Sequence, residues 1–242
     1  MSRIFRRSAA VLIALYAVAV VPARAWSVDP TAPSGDLEDF HRHFAGAVYP
    51  YARHEAAPLG ITGFEVFADS SYNREFDRQP FRVSAVSGNL PSDVLAIGRV
   101  GVRKGLPGGI DLEASYGKVA GSDLKVVAGT IQWAPLAGGL ASPALAFRLT
   151  GAKSQGDDVY ELRQLGFEAV LSKGFPVVTP YVGVGLVHSQ GTFHRAGGDL
   201  STSTDRPIVF GGVTLSLLVP KIHLEVERGE TWQAAARIGI GF

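Results

Sequence analysis

From Gly63 to Phe242 the chain repeats one pattern. Short runs alternate apolar with polar or very small residues, and clusters of Gly, Pro, Asp and Ser separate them. Alternation with period two gives each face of a β-strand its own composition. It predicts ten strands, at about 62–72, 94–104, 109–119, 124–134, 143–153, 160–173, 178–190, 207–219, 221–229 and 231–242. In "PALAFRLTGA", Leu145, Phe147 and Leu149 fall on one face and Ala146, Arg148 and Thr150 on the other. In "KIHLEVERG", Ile222, Leu224 and Val226 separate from His223, Glu225 and Glu227.

A soluble sandwich shows the same alternation with its polar face in water. Three features point instead to a barrel in a membrane. Most strands span 9–13 residues, which suits a tilted membrane strand of roughly 9–11. The polar faces carry Gly166, Gly212, Gly239 and Gly241, as a crowded lumen requires. The connections also sort into two sets. "KGLPGG", "PLAGGLAS", "KGFPVV" and the turn at Val219–Lys221 are short or built of small residues. "SYNREFDRQPFRVSAVSGNLPSD" and "QGTFHRAGGDLSTSTDR" are long and polar, and fall in the opposite set. Short periplasmic turns and longer outer loops are the arrangement of outer-membrane barrels. Closure follows because each unpaired backbone group in lipid costs several kcal/mol. The expected fold is all-β: a closed antiparallel up-and-down transmembrane β-barrel of about ten strands (eight or twelve as alternatives), with a short N-terminal helix. Trp133 and Tyr181 at the periplasmic side and Trp232 at the outer side are expected in the aromatic belts.

The start of the chain reads as a leader. Arg3, Arg6 and Arg7 precede an apolar run of 13 residues, Ala9 to Val21, and Ala23-Arg24-Ala25 offers a small-x-small cleavage site. This is the pattern of a secretory signal peptide at 1–25, cut between Ala25 and Trp26. The run is too short for a membrane helix of roughly 20 residues. The rest carries 19 basic and 22 acidic side chains, a formal charge of −3. That balance does not suggest a nucleic-acid partner. There is no cysteine, so neither disulfides nor thiolate chemistry enter.

Residues 26–60 stand apart from the barrel at 61–242. In "SGDLEDFHRHFAGAV", Leu37, Phe40, Phe44 and Val48 recur at helical spacing, with Ser34 or Asp36 as the expected cap. The segment either plugs the barrel or lies beneath it, and contact with the periplasmic mouth is the expectation.

"APLGITGFEVFAD", "KGLPGGIDLEASYG", "SPALAFRLTG" and "LSKGFPVVTPYVGVGLV" resemble an uncharacterised family of bacterial outer-membrane β-barrel proteins, over about residues 35–242. The resemblance implies a fold and a location in the outer membrane of a Gram-negative bacterium, not a reaction. A terminal strand ending in Phe is similar to the signal read by the barrel-assembly machinery; the matching positions are Trp232, Ile238, Ile240 and Phe242.

By strand parity Glu65, Asp111, Glu113, Glu168, Glu225, Glu227, Arg99, Arg103, Arg148 and Arg237 point inward. Buried charges must pair or contact water. Arg237 is expected opposite Glu225 or Glu227, and Arg148 opposite Glu168. The network closes the lumen or lines a narrow pore for small solutes. His188-Ser189 evokes a lipid-acting hydrolase, but adjacent strand residues face opposite ways. His41 and His43, two apart on a helix, do not face each other as metal ligands would. No nucleotide or nucleophile-elbow motif is present. The expectation is therefore a monomer in outer-membrane lipid, a structural envelope component or narrow pore, with no cofactor, no metal and no catalytic residues. The alternatives are a deacylase-like enzyme and a protein that binds through outer loops 71–93 and 190–206.

Overall fold

The alternating runs form ten strands of one closed sheet, in a computed structural model that describes residues 26–73, 82–88, 95–217 and 220–241. The leader with Ala25, and the terminal Phe242, lie outside the described residues. The barrel strands are β2 (Phe64–Asn73), β4 (Leu95–Leu106), β5 (Ile110–Val119), β6 (Lys125–Ala137), β7 (Ala144–Gln155), β8 (Tyr160–Ser172), β9 (Val178–Phe193), β10 (Leu200–Ser216), β11 (Pro220–Arg228) and β12 (Trp232–Gly241). Each pairs antiparallel with its neighbours in sequence, and β12 closes on β2 with Ile240 opposite Val66. Before them come β1 (Trp26–Val28) and helix α1 (Ser34–Val48). Between β2 and β4 lie a short helix α2 (Arg82–Ala85) and β3 (Val86–Gly88), which pairs with β1.

The barrel is inverted relative to a soluble protein. Leu186 is 64% exposed, Val182 58%, Leu165 54% and Trp133 51%. The inward alternates are buried and largely polar: along β5 they are Asp111, Glu113, Ser115, Gly117 and Val119. A continuous apolar belt of this extent has no place in water, and it removes the soluble-sandwich alternative.

The two rims differ. At one rim the turn at 107–109 reverses the chain through Gly108 (φ 79°) and Gly109 (φ 74°), two successive left-handed residues that suit a tight hairpin. The connections at 138–143 and 173–177, and the facing ends of β10 and β11 at Ser216 and Pro220, share this turn rim. The connections at 120–124, 156–159, 194–199 and 229–231, with α2 and β3, share the opposite loop rim. A bulge in β6, where Trp133 faces Phe147 and Leu136 faces Leu145, coincides with Pro135, whose missing N–H breaks a ladder bond.

Three expectations are corrected. Strand β10 begins at Leu200 rather than 207 and β9 runs on to Phe193, so the expected loop 190–206 shrinks to 194–199. Sixteen ladder pairs, from Leu200↔Phe193 to Leu215↔Val178, absorb its polar Ser and Thr residues into a long hairpin. Tyr181 is 2% exposed and points into the lumen, not into an aromatic belt, because it shares parity with Gly183 and Val187. Helix α1 has Pro33 at its N-cap, with no side-chain cap. Ser34 instead accepts from Arg195 (3.1 Å) and Asp36 from Ser84 (2.6 Å).

Candidate functional site: a lumen filled by the chain itself

Residues 26–60 thread the barrel, with the stretch around Thr31, Ser34, Gly35 and Glu38 still exposed at its loop rim. They enter at the loop rim, where the Trp26 indole donates to Ala120 (3.0 Å), and leave at the turn rim, where the Leu59 amide donates to Asp111 (3.1 Å). Tyr49 to Ala56 is buried without a break. The expected seat against one mouth is corrected, because the barrel wall supplies both apolar and charged partners that only an internal segment can reach.

The upper half of this plug is α1. Leu37, Phe40, Phe44 and Val48 form one buried stripe against Leu95, Ile97, Val119, Val126, Tyr160, Leu162 and Phe193. Phe40 stacks on Phe44 with centroids 5.1 Å apart, and meets Tyr160 edge-on at 5.5 Å. His41 lies within this layer. Its Nε2 faces the Ser189 carbonyl (3.4 Å), so that nitrogen donates, and Nδ1 accepts from the Tyr160 hydroxyl (2.7 Å). His43 turns instead to the Asp39 carbonyl (2.9 Å). The Ala45 carbonyl, in the last turn of the helix, accepts from wall residue Gln164 (2.7 Å), which satisfies a group the helix leaves open.

The lower half is extended and belongs to no strand. Its backbone therefore needs other partners, and the wall supplies them through arginines that also hold wall carboxylates. Arg99 grips Asp69 through Nε (3.0 Å) and Nη2 (2.8 Å), and donates to the Tyr51 carbonyl (2.6 Å). Arg103 bridges Asp111 and the Ala57 carbonyl (3.3 Å). Arg148 faces Glu168 (3.7 Å) and donates to the His54 carbonyl (2.7 Å). The plug answers with side chains of its own. Arg53 meets Asp69 (2.9 Å), the Tyr51 hydroxyl donates to Glu227, and Glu55 accepts from Thr214 (2.7 Å) and Lys221 (3.0 Å). Gly166 on the wall makes room for Tyr49, whose hydroxyl would collide with any Cβ there.

All ten residues placed inward by parity are buried in this network. The pairing of Arg237 is corrected. It reaches Glu65 (3.5 Å) on the adjacent strand β2 and Glu113 (2.9 Å) on β5 rather than Glu225 or Glu227, because its ladder partner on β11 is His223. Glu225 turns to Arg53 (3.8 Å). Sequence reasoning passed over Asp69 and Arg206, which share the inward parity of Glu65 and Phe210, and His223, already on the polar face of its strand. It had no signal for Tyr51, Arg53 and Glu55, because an extended plug has no period. Among the described residues the buried ions are eight carboxylates and six arginines, with Lys221 at the turn rim as a further cation.

His188 and Ser189 sit on opposite faces. His188 is outward, with Nδ1 2.7 Å from Asp205, a partner the strand spacing had not suggested; Ser189 is buried and accepts from Gln164 (3.0 Å). The two share no proton path. Of the proposed assembly positions, Trp232 and Ile240 face outward at 53% and 59% exposure and Ile238 is half-buried on β12.

Fold and site together define a membrane-type β-barrel whose lumen is occupied by its own N-terminal segment. No family model matches the chain, and no curated protein matches it. Among solved structures it is similar to the N-terminal β-barrel domain of Pseudomonas aeruginosa OprF, at 15% identity and TM-score 0.36, covering 76% of this chain and 99% of that one. LpxR from Salmonella typhimurium aligns at 9% identity and TM-score 0.40, covering 72% and 99%. The KdgM porin, solved in complex with disordered oligogalacturonate, aligns at 6% and 0.38, covering 74% and 98%. These values transfer no site and no activity.

Proposed function

We propose that this chain is an integral outer-membrane β-barrel of a Gram-negative bacterium that serves as a closed envelope component. In this reading the leader is removed between Ala25 and Trp26, the turn rim faces the periplasm, and the monomer sits in outer-membrane lipid. Strand β12 is the element the barrel-assembly machinery recognises. The observation that carries the reading is the unbroken burial of Tyr49–Ala56 between wall arginines and carboxylates. A lumen so filled passes no steady current. Refolded full-length protein in a planar bilayer should show no stable conductance, while unboiled and boiled samples migrate differently on a gel, as a folded barrel does. A steady ohmic current from the intact chain overturns the closed reading; identical migration overturns the barrel reading. Topology is tested separately. A tag placed before Trp26 should react with antibody on intact cells, because Trp26 lies at the loop rim.

A gated pore is the second reading. One observation favours it: the lower plug is held by side chains alone, beside a cavity of about 210 Å³ at the turn rim lined by Glu55, Leu59, Glu65 and Lys221. It requires openings that appear when Arg53 or Arg99 is neutralised.

A further inference from the structure

The outer wall carries an unusual arrangement of cations at the loop rim. On the outward face, Lys118 of β5 stands directly opposite Lys125 of β6, and Lys153 of β7 directly opposite Arg163 of β8. Two like charges directly opposite on one face of an antiparallel pair repel. Here the arrangement occurs twice on four adjacent strands. The two pairs are offset by one outward position: Lys125 faces Gln155, and Val127 faces Lys153. All four reach solvent or lipid, with the side chains of Lys153 and Arg163 52% and 65% exposed. One carboxylate answers the second pair, Glu161, at 3.1 Å from Lys153 and 2.9 Å from Arg163. Directly towards the turn rim the outward positions become apolar, with Tyr116 (45% exposed), Val127 (41%) and Leu165 (54%), then Ile131, Leu149 and Phe167.

Cations one step above an apolar wall match an amphiphile with an anionic head and hydrocarbon tails. We infer that strands β5 to β8 form a binding surface for a phosphate-bearing lipid of the surrounding leaflet, with Lys118, Lys125, Lys153 and Arg163 holding the phosphate and the apolar positions below packing its acyl chains. This rests on the outer-membrane reading above. The phosphate bridges Lys118 and Lys125 and takes up the positive charge that Glu161 leaves over on Lys153 and Arg163, since ammonium and guanidinium groups both donate charge-assisted hydrogen bonds to phosphate oxygens. Each basic residue near an anionic lipid surface contributes about a fivefold factor in binding.

The test uses the refolded full chain in neutral detergent, with bound lipid counted by native mass spectrometry. Probes are bisphosphorylated lipid A and the same glycolipid with both phosphates removed. The wild type should retain the phosphorylated lipid and release the stripped one. A Lys118→Gln, Lys125→Gln double variant should bind the phosphorylated lipid about 25-fold more weakly. A Lys118→Arg, Lys125→Arg variant should bind like the wild type. Equal retention of both lipids, an unchanged Gln variant, or displacement by equimolar inorganic phosphate overturns the proposal. The heat-dependent gel shift is read on every sample. Its loss in the wild type sinks the membrane reading itself, and its presence with no lipid preference sinks only this surface.

Discussion

The two halves of the plug occupy one lumen and are held in opposite ways. At the loop rim, α1 satisfies its own backbone and presents Phe40 and Phe44 to an apolar layer built by Tyr160 and Phe193. At the turn rim, the extended Tyr49–Gly60 stretch has no helical or ladder bonds, only tight local ones such as Tyr51 N–H to Tyr49 (3.0 Å) and His54 N–H to Ala52 (2.7 Å), and the wall facing it carries Arg99, Arg103, Arg148 and their carboxylates. The wall changes character where the plug changes secondary structure. A helix can be buried in hydrocarbon because its polar groups are already paired; an extended chain requires polar neighbours. The difference teaches that the charge of the lumen serves the plug's backbone as much as it neutralises itself.

Substitutions can break or sharpen this contrast. The largest effect should come from Arg99→Ala, which leaves Asp69 with a weakened set of partners and strips the Tyr51 carbonyl. Uncompensated burial of this kind costs about 3–5 kcal/mol, read from the urea midpoint of the refolded barrel. The paired change Arg99→Met with Asp69→Leu should recover part of it, and a single-variant loss under about 1 kcal/mol would contradict a structural role for the lower network. Next is Phe40→Ala, about 3 kcal/mol as for a large-to-small core change. Its signature differs, since proteolysis within 26–48 should rise while the heat-dependent gel shift persists. Unfolding of the whole barrel together with α1 would erase the distinction between the halves. Gly166→Val drives a side chain into Tyr49 and should cost about 2 kcal/mol as an overpacked site; a neutral outcome would show that the plug slides freely. The smallest effect belongs to His188→Ala, on the outer face with Asp205. An exposed pair is worth under about 1 kcal/mol, so the urea midpoint should barely move.

Much of the wall was legible because strand parity is a local property. Once Glu65 is assigned inward, Glu113 and Arg148 follow from the alternation of their own strands, and burial of all three agrees. The partners were less accessible. Arg237 meets Glu113 on β5, three strands round the barrel and 124 residues away in sequence, and hairpin reasoning sees only the neighbouring strand. Tyr181 looked like an interface aromatic because its position along the strand suited one, yet its parity placed it inside. The plug was the least legible part. Its helical stripe at Leu37, Phe40, Phe44 and Val48 is plain, but a stripe states that a face is buried and not against what.

The sequence by itself determined the ten alternating strands, the inward parity of the charged residues, the apolar outer belt and the N-terminal helix. Each of these follows from the spacing of residue types along a few turns or pleats. Only the tertiary structure decided that residues 26–60 run through the lumen, that wall arginines hold the backbone of Tyr51, His54 and Ala57, and that Lys118 and Lys125 stand face to face on the outer wall. Those facts depend on register and closure, which join residues remote in sequence and leave no period along the chain to betray them.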